Sequence, residues 1–200
     1  LVALFGIGTM TQVNSITGSL QASFGTAPEV ASVVIALVVS TIIFGGIHWI
    51  SKVSEKVVPF MAAAYIFATV AIIVLHLDQL LPALKSVFSG AFTGTAAMGG
   101  FAGATVKMAI QKGVARGVFS NESGLGSAPI AAAAAKTNEP VEQGLISMTG
   151  TFIDTIIICS LTGLSLLVSG EWMAKGSTST LTQDTFTGVF GPVGGIILTL

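Results

Sequence analysis

The chain has 200 residues, of which 52% are hydrophobic and only 8% are charged, and its mean hydropathy is +0.89. Soluble domains carry about 25% charged residues, so this composition excludes an ordinary water-facing surface and predicts a lipid bilayer as the solvent. The net charge of −1 provides no basic field for nucleic acid, and the single cysteine, Cys159, excludes an internal disulfide.

Apolar stretches of about 20 residues, the length that a helix needs to cross a bilayer, recur along the chain. Polar connectors separate them at 48–56, 78–85, 136–143 and 171–184. Lys52 and Lys56 in the first connector favour the cytoplasmic side. Because Leu1 and Leu200 both stand inside apolar stretches, we expect an internal part of a longer multi-pass protein. The predicted membrane segments are 1–24, 29–47, 57–77, 105–135, 141–168 and the start of another at 186–200.

The segment 105–135 is predicted to be a broken helix, because its centre reads FSNESGLGSAPIAAAAA (119–135). Gly124 and Gly126 permit backbone angles that stop a helix, Ser127 is a good N-cap, and the alanine run propagates helix. We expect helix to about 117, an unwound piece over 118–126 and a second half-helix over 127–135.

Irregular backbone at membrane depth must be buried in protein or line a cavity. The new helix N-terminus suits a carboxylate, the freed carbonyls suit a cation, and such broken helices are typical of secondary transporters. An ordinary loop with Glu122 in water fits the same residues. Glu122 is alternatively a gate residue or a partner of Arg116.

Asp154 lies at the centre of an apolar helical segment, where a carboxylate costs roughly 2.5–3.5 kcal/mol and tends to be functional. A carboxylate with hydroxyls offers the hard oxygen ligands that sodium prefers. The alternative is a buried carboxylate paired with a lysine or arginine from elsewhere. A polar stripe at helical spacing accompanies it and must face protein or a cavity: Ser147, Thr151, Asp154, Thr155, Thr162 and Ser165.

The first segment carries amide and hydroxyl side chains, among them Gln12 and Asn14. Such residues commonly join membrane helices to one another. The alternative is that Gln12 and Asn14 bond a small polar ligand. No phosphate-binding glycine loop, CxxC pair, HExxH motif or Ser–His–Asp set occurs in the sequence, so we predict that the protein is not an enzyme.

Three stretches resemble the alanine or glycine:cation symporter family, the sodium:alanine symporters. They are GVFSNESGLGSAPIAAAAAKT (117–137), SMTGTFIDTIIICSLTGL (147–164) and GIGTMTQVNS (6–15), and the resemblance covers essentially the whole chain. Thr9 stands where the family pattern often has asparagine, and Ser123 replaces the commoner alanine. The family's first, glycine-rich helix has no counterpart here, so this chain alone is not expected to transport.

The resemblance implies an all-α integral membrane protein with a LeuT-like fold of two inverted repeats, here from about the third to the start of the eighth core helix. It implies sodium-coupled symport of alanine or glycine by alternating access in the plasma membrane of a prokaryote. No cofactor beyond the coupling sodium ion and no obligate protein partner are expected. The alternative is a proton-coupled LeuT-like carrier of another small amino acid, in which Glu122 or Asp154 would titrate.

The resemblance also assigns roles to residues of the broken helix and its neighbours. Phe119 is expected to close over the substrate. Asp154, with Thr151 or Thr155, is expected to bind the sodium ion or to hold the broken helix. The expected substrate-binding residues are Gln12, Asn14, Phe119, Ser120, Asn121, Gly124, Gly126 and Ser127. The expected cation-binding or gating residues are Asp154, Thr151, Thr155, Glu122 and Arg116.

Overall fold

The computed structural model describes residues 7–92, 106–122, 124, 126, 128–175 and 180–199, and every regular element in these ranges is helical. The prediction of an all-α chain is therefore confirmed for the described residues. The helices are α1 (Ile7–Phe24), α2 (Pro28–Phe44), α3 (Gly46–Leu75), α4 (Leu77–Phe92), α5 (Val106–Ser120), α6 (Ala128–Ala132), α7 (Pro140–Ser169), α8 (Glu171–Lys175), α9 (Leu181–Phe190) and α10 (Pro192–Thr199).

Within the described residues, α3 and α7 are long and apolar enough to cross a membrane, with 30 residues each. Helix α2 is apolar but shorter, with 17 residues. The apolar character of all three agrees with a chain that uses lipid as its solvent.

The prediction of a polar connector at 48–56 is wrong, because α3 runs through these residues without interruption. The chain turns instead at Gly46, whose positive φ of 74° is a conformation that glycine adopts at little cost. Lysine and glutamate are good helix formers, so Lys52 and Lys56 extend an apolar helix. The predicted connector at 78–85 is also wrong, since α4 begins at Leu77 and contains Pro82.

Helix α7 is not regular, because its residues Ile153–Cys159 form a π-helical segment between two α-helical halves, Pro140–Phe152 and Ser160–Ser169. A π-turn bonds residue i to i+5, so it inserts one residue and rotates every side chain that follows. The predicted polar stripe is therefore divided. Thr162 bonds the Tyr65 hydroxyl of α3 at 2.6 Å. Ser165 is fully buried.

The buried core joins α3, α4, α7 and α9 through Ile72, Ala83, Val168 and Phe186. The ring of Phe186 stacks on that of Tyr65, with centroids 5.8 Å apart and an interplanar angle of 15°. Helices α9 and α10 pack closely against each other on either side of Gly191. The segment predicted at 186–200 therefore contains the end of one short helix and another short helix.

Replacing Gly194 with alanine is expected to destabilise this helix pair. A Cβ atom at Gly194 would lie 2.1 Å from the backbone oxygen of Phe186, and backbone cannot give way as a flexible side chain does. Overpacking typically costs about 1–3 kcal/mol, so Gly194→Ala should lower the melting temperature of the purified protein in detergent. The control is Gly163→Ala in α7, where the new Cβ meets nothing within 4 Å. Equal melting temperatures for the two variants would contradict this packing.

Candidate functional site

The break between α5 and α6 is the centre of the candidate site. Helix α5 closes with two backbone bonds, from Asn121 N–H to the Gly117 carbonyl at 3.2 Å and from Glu122 N–H to the Phe119 carbonyl at 3.1 Å. The chain then takes positive φ angles at Glu122 (50°), Gly124 (80°) and Gly126 (86°). A glutamate with positive φ is uncommon, and such strain concentrates at ligand clamps and switch regions.

The end of α5 is tied to the π-helical segment of α7 by two adjacent pairs of side chains. The Ser120 hydroxyl donates to Asp154 Oδ2 at 2.6 Å. Asn121 Nδ2 donates to Thr155 Oγ1 at 2.8 Å, and the Thr155 hydroxyl lies 3.1 Å from Asn121 Oδ1, to which it donates. We call these four residues the clasp.

The π-helical geometry allows the clasp to form. In an α-helix consecutive side chains point about 100° apart, because 3.6 residues make one turn. A π-turn has more residues per turn and therefore a smaller angle between neighbours. Asp154 and Thr155 can then both face the end of α5. In the described part of the chain, Asp154 accepts a hydrogen bond from the Ser120 hydroxyl. It does not pair there with a lysine or an arginine, as the alternative interpretation required.

Two cavities lie on either side of the clasp. The larger, of about 620 Å³, is lined among others by Gln12, Arg116, Phe119, Ser120, Glu122 and Thr155. The second, of about 410 Å³, is lined among others by Ser120, Asn121, Glu122, Ser147, Thr151 and Asp154. Ser120 and Glu122 line both cavities, so the first residues of the break separate them.

The predicted site residues divide between the two cavities. Gln12 and Phe119 line the larger cavity and Asn121 the second, while Gly124 and Gly126 form the break. Asn14 is exposed on α1 and is not among the described residues that line either cavity. Ser127 lies outside the described residues. The predicted cation or gating residues are Asp154 and Thr151 in the second cavity, Thr155 and Arg116 in the larger one, and Glu122 in both.

Cys159 is a lining residue that the sequence reasoning missed. Its sulfur lies 3.7 Å from the Ser120 hydroxyl, and its side chain lines the larger cavity. The sequence reasoning treated this cysteine only as a redox marker. Its position four residues after Thr155 was the available signal, because residues four apart share a face of a regular helix.

The chemistry available at the clasp is that of hard oxygen ligands. One carboxylate, the hydroxyls of Ser120 and Thr155 and the amide oxygen of Asn121 converge there. Oxygen ligands of this kind suit alkali and alkaline-earth cations, which do not need nitrogen or sulfur. Within the described residues, no group of three or more His, Cys, Asp or Glu side chains could hold a metal ion.

Replacing Gly124 with alanine tests whether the conformation of the break matters. A Cβ atom there would meet nothing within 4 Å, so the only penalty comes from the φ of 80°. A side chain in this region costs about 1–2 kcal/mol, which corresponds to a factor of about 5–30 in a population. If the full-length protein is a transporter, as the resemblance implies, Gly124→Ala should lower its substrate uptake within that range. Gly144→Ala in α7 is the control, since it has open space and no positive φ. Equal uptake by both variants would contradict a role for the backbone.

Comparison with known proteins gives a consistent result. The sodium:alanine symporter family matches residues 1–200. An uncharacterised transporter of Haemophilus influenzae is 48% identical over 202 residues, which is 100% of this chain and 44% of that protein. The sodium/alanine symporter AgcS of Methanococcus maripaludis is 46% identical over 99% of this chain and 44% of its own length. The probable sodium/glutamine symporter GlnT of Bacillus subtilis is 39% identical over 86% of this chain and 35% of its own length.

These matches define the class of protein as a membrane transporter and not an enzyme, as the sequence predicted. The chain belongs to the sodium:alanine symporter family. The predicted resemblance is thereby confirmed. The chain spans less than half the length of the curated relatives that it matches.

Proposed function

We propose that the full-length protein carries alanine or glycine into a prokaryotic cell by symport with sodium. The observation that carries this proposal is the clasp, which ties a carboxylate at the middle of α7 to the point where α5 breaks. A transporter that couples two ligands needs them to stabilise the same conformation. The clasp supplies one element that both ligands can reach, because its residues line both cavities.

We also propose a LeuT-like fold of inverted repeats, with this chain contributing about the third to the start of the eighth core helix. The broken pair α5 and α6 supports this proposal, since discontinuous helices at the bilayer midplane characterise such transporters. The same proposal includes the membrane segments predicted from the sequence, which are 1–24, 29–47, 57–77, 105–135, 141–168 and 186–200. Alternating access would then rock one helix bundle against the other around the clasp.

The larger cavity is the proposed substrate site. Gln12 on α1 would bond a polar atom of the substrate, and the partly buried Phe119 would close over it. Successive backbone N–H groups in a turn can form a concave anion-binding site, so we propose that the turn containing Gly124 and Gly126 binds the substrate carboxylate. Arg116 and Glu122 line the same cavity and carry the opposite charges expected of a gate.

The second cavity is the proposed cation site, with Asp154 as the charged ligand and Thr151, three residues earlier on the same helix, as a neutral one. Ser120 and Thr155 would adjust their hydroxyl hydrogens when a cation replaces their present partners. The alternative is a proton-coupled carrier of another small amino acid, in which Glu122 or Asp154 takes the proton instead. A substrate other than alanine has support from the glutamine symporter among the relatives.

The test is uptake of radiolabelled alanine by the full-length protein in proteoliposomes. An inward sodium gradient, an inward proton gradient and no gradient are compared, and unlabelled glycine and glutamine compete in each. Uptake that requires sodium and is inhibited by glycine supports the proposal. Uptake driven by protons alone supports the alternative carrier. Inhibition by glutamine but not by glycine would overturn the substrate assignment.

A further inference from the structure

Helix α7 has two opposite faces of different chemistry between Val141 and Asp154, that is, over its first α-helical half and the start of the π-helical segment. Residues at spacings of 4, 3, 1 and 3 lie on one face of a helix that turns about 100° per residue. This polar face, which excludes large apolar side chains, consists of Gln143, Ser147, Gly150, Thr151 and Asp154. The opposite, apolar face consists of Val141, Leu145, Met148 and Phe152, each more than half exposed.

The polar face lines a series of neighbouring cavities. All five of its residues line the second cavity, together with Ala128 and Ala132 of α6. A third cavity, of about 420 Å³, is lined by Ser51 of α3, by Lys136 and Thr137, and by Glu142 and Gln143 at the start of α7. Gln143 lines both, as Ser120 and Glu122 line both the first and the second. The sequence of cavities therefore leads from the candidate substrate site to Lys136.

Polar side chains with oxygen atoms follow one another along this face and are linked by hydrogen bonds. Thr137 donates to the Glu142 carboxylate, and Gln143 Nε2 donates to Ser147 Oγ at 3.3 Å. The Thr151 hydroxyl donates to the Ser147 carbonyl at 3.3 Å, one turn before Asp154. Small residues help to keep the space in front of these groups open, since Ala128, Ala132 and Gly150 are among the lining residues of the second cavity.

The length of the face matches half a bilayer. At about 1.5 Å per residue, the path from Gln143 to Asp154 covers roughly 16 Å. The hydrocarbon core is about 30 Å thick, so a carboxylate near its middle would be connected to its edge. The end of the path away from Asp154 carries three charged residues close together in sequence, Lys136, Glu139 and Glu142. Charged side chains are expected where a membrane helix meets water.

We propose that the polar face of α7 lines a hydrated path along which the coupling cation moves between Asp154 and the membrane surface at Lys136. The inference rests on the proposed function for the identity of the ion as sodium. A cation leaving Asp154 through lipid would lose its hydration at high cost, whereas hydroxyl and amide oxygens with water replace that hydration. The path also explains why polar residues occupy a face that would otherwise contact lipid or protein.

Single-cysteine labelling of the full-length protein in proteoliposomes tests the path. All other cysteines, including Cys159, are replaced, and a membrane-impermeant methanethiosulfonate reagent is added to one side at a time. Ser147→Cys and Thr151→Cys place a thiol on the polar face. Met148→Cys and Phe152→Cys are matched controls one residue further on. Asn138→Cys, at an exposed position, reports which side carries the Lys136 end.

The labelling rates give a clear expectation. The thiolate is the reactive form, and a thiol in apolar surroundings stays protonated. Ser147→Cys and Thr151→Cys should therefore react about tenfold or more faster than their controls, and from the side on which Asn138→Cys reacts. Rates no faster than those of the controls would overturn the path, because another protein segment or lipid would then cover the face. Reaction from the other side would also overturn it, because the face would then open to the opposite membrane surface.

The charge of the attached group tests whether the path carries a cation. At Ser147→Cys, a reagent that leaves a positive charge and one of similar size that leaves a negative charge are compared for their effect on sodium-driven alanine uptake. The positive adduct should raise the sodium concentration for half-maximal uptake more than the negative one. Equal inhibition would overturn the assignment to a cation. Labelling rates need no transport, so the path and the proposed function can fail independently.

Discussion

Asp154→Asn is expected to raise the sodium concentration for half-maximal alanine uptake by about tenfold or more, equivalent to about 1.4 kcal/mol of cation binding. Asparagine has the shape of aspartate, and its amide oxygen can still accept the Ser120 hydroxyl that Asp154 accepts at 2.6 Å. The clasp is therefore kept while the negative charge is lost. The measurement is initial uptake rate against sodium concentration in proteoliposomes.

The control for this charge change is Asp78→Asn at the start of α4. Asp78 is exposed and accepts a hydrogen bond from Gln79 at 2.9 Å, away from both cavities. The sodium dependence of alanine uptake by Asp78→Asn should equal that of the unmodified protein. If Asp154→Asn also leaves the sodium dependence unchanged while transport continues, Asp154 is part of the scaffold and the cation binds elsewhere.

Thr155→Val is expected to lower alanine uptake by about 10- to 100-fold. Valine preserves the shape of threonine but removes both hydrogen bonds with Asn121. Asn121 Nδ2 keeps its 2.9 Å bond to the Gly117 carbonyl, whereas the partly buried Oδ1 loses the Thr155 hydroxyl, at a cost of about 1–3 kcal/mol. Asn121→Ala should have a similar effect, and the double variant should be no worse than either single one, because the two residues act as a unit. Thr155→Ser should retain uptake, since serine keeps the hydroxyl that bonds Asn121.

Thr149→Val is the matched control for the loss of a hydroxyl from α7. In the described part of the chain, the Thr149 hydroxyl bonds the Leu145 carbonyl of its own helix, at 3.0 Å, and its side chain is exposed. Its replacement should change uptake little. The clasp would be contradicted if the Asn121 and Thr155 variants multiplied their effects in the double variant, as independent sites do.

The apolar runs of the sequence predicted that the chain is helical, because bilayer thickness and backbone hydrogen bonding leave few other structures. The predicted connectors failed where charged residues continue a helix, as Lys52 and Lys56 do in α3. A charged stretch is compatible with a loop or with a helix end in water. Composition does not distinguish these, whereas the turn at Gly46 shows where the chain changes direction.

The candidate site was partly predictable for a different reason. The energetic cost of Asp154 in an apolar helix identified it from the sequence alone, and the glycines of 119–135 identified the break. Their meeting was not predictable, because it joins residues 34 positions apart in sequence and because helical spacing does not indicate the π-helical segment in which Asp154 and Thr155 lie. The resemblance implied a substrate-binding role for Asn14, which is exposed on α1 and lines neither of the two cavities, so its role stays a prediction.

The central claim is that one site couples sodium to alanine, and the most direct test is the affinity for alanine of the purified full-length protein in sodium and in choline. Because coupling is reciprocal, sodium should tighten alanine binding by about tenfold or more, and alanine should tighten sodium binding by the same factor. Equal alanine affinity in the two salts, with binding intact, would contradict the account.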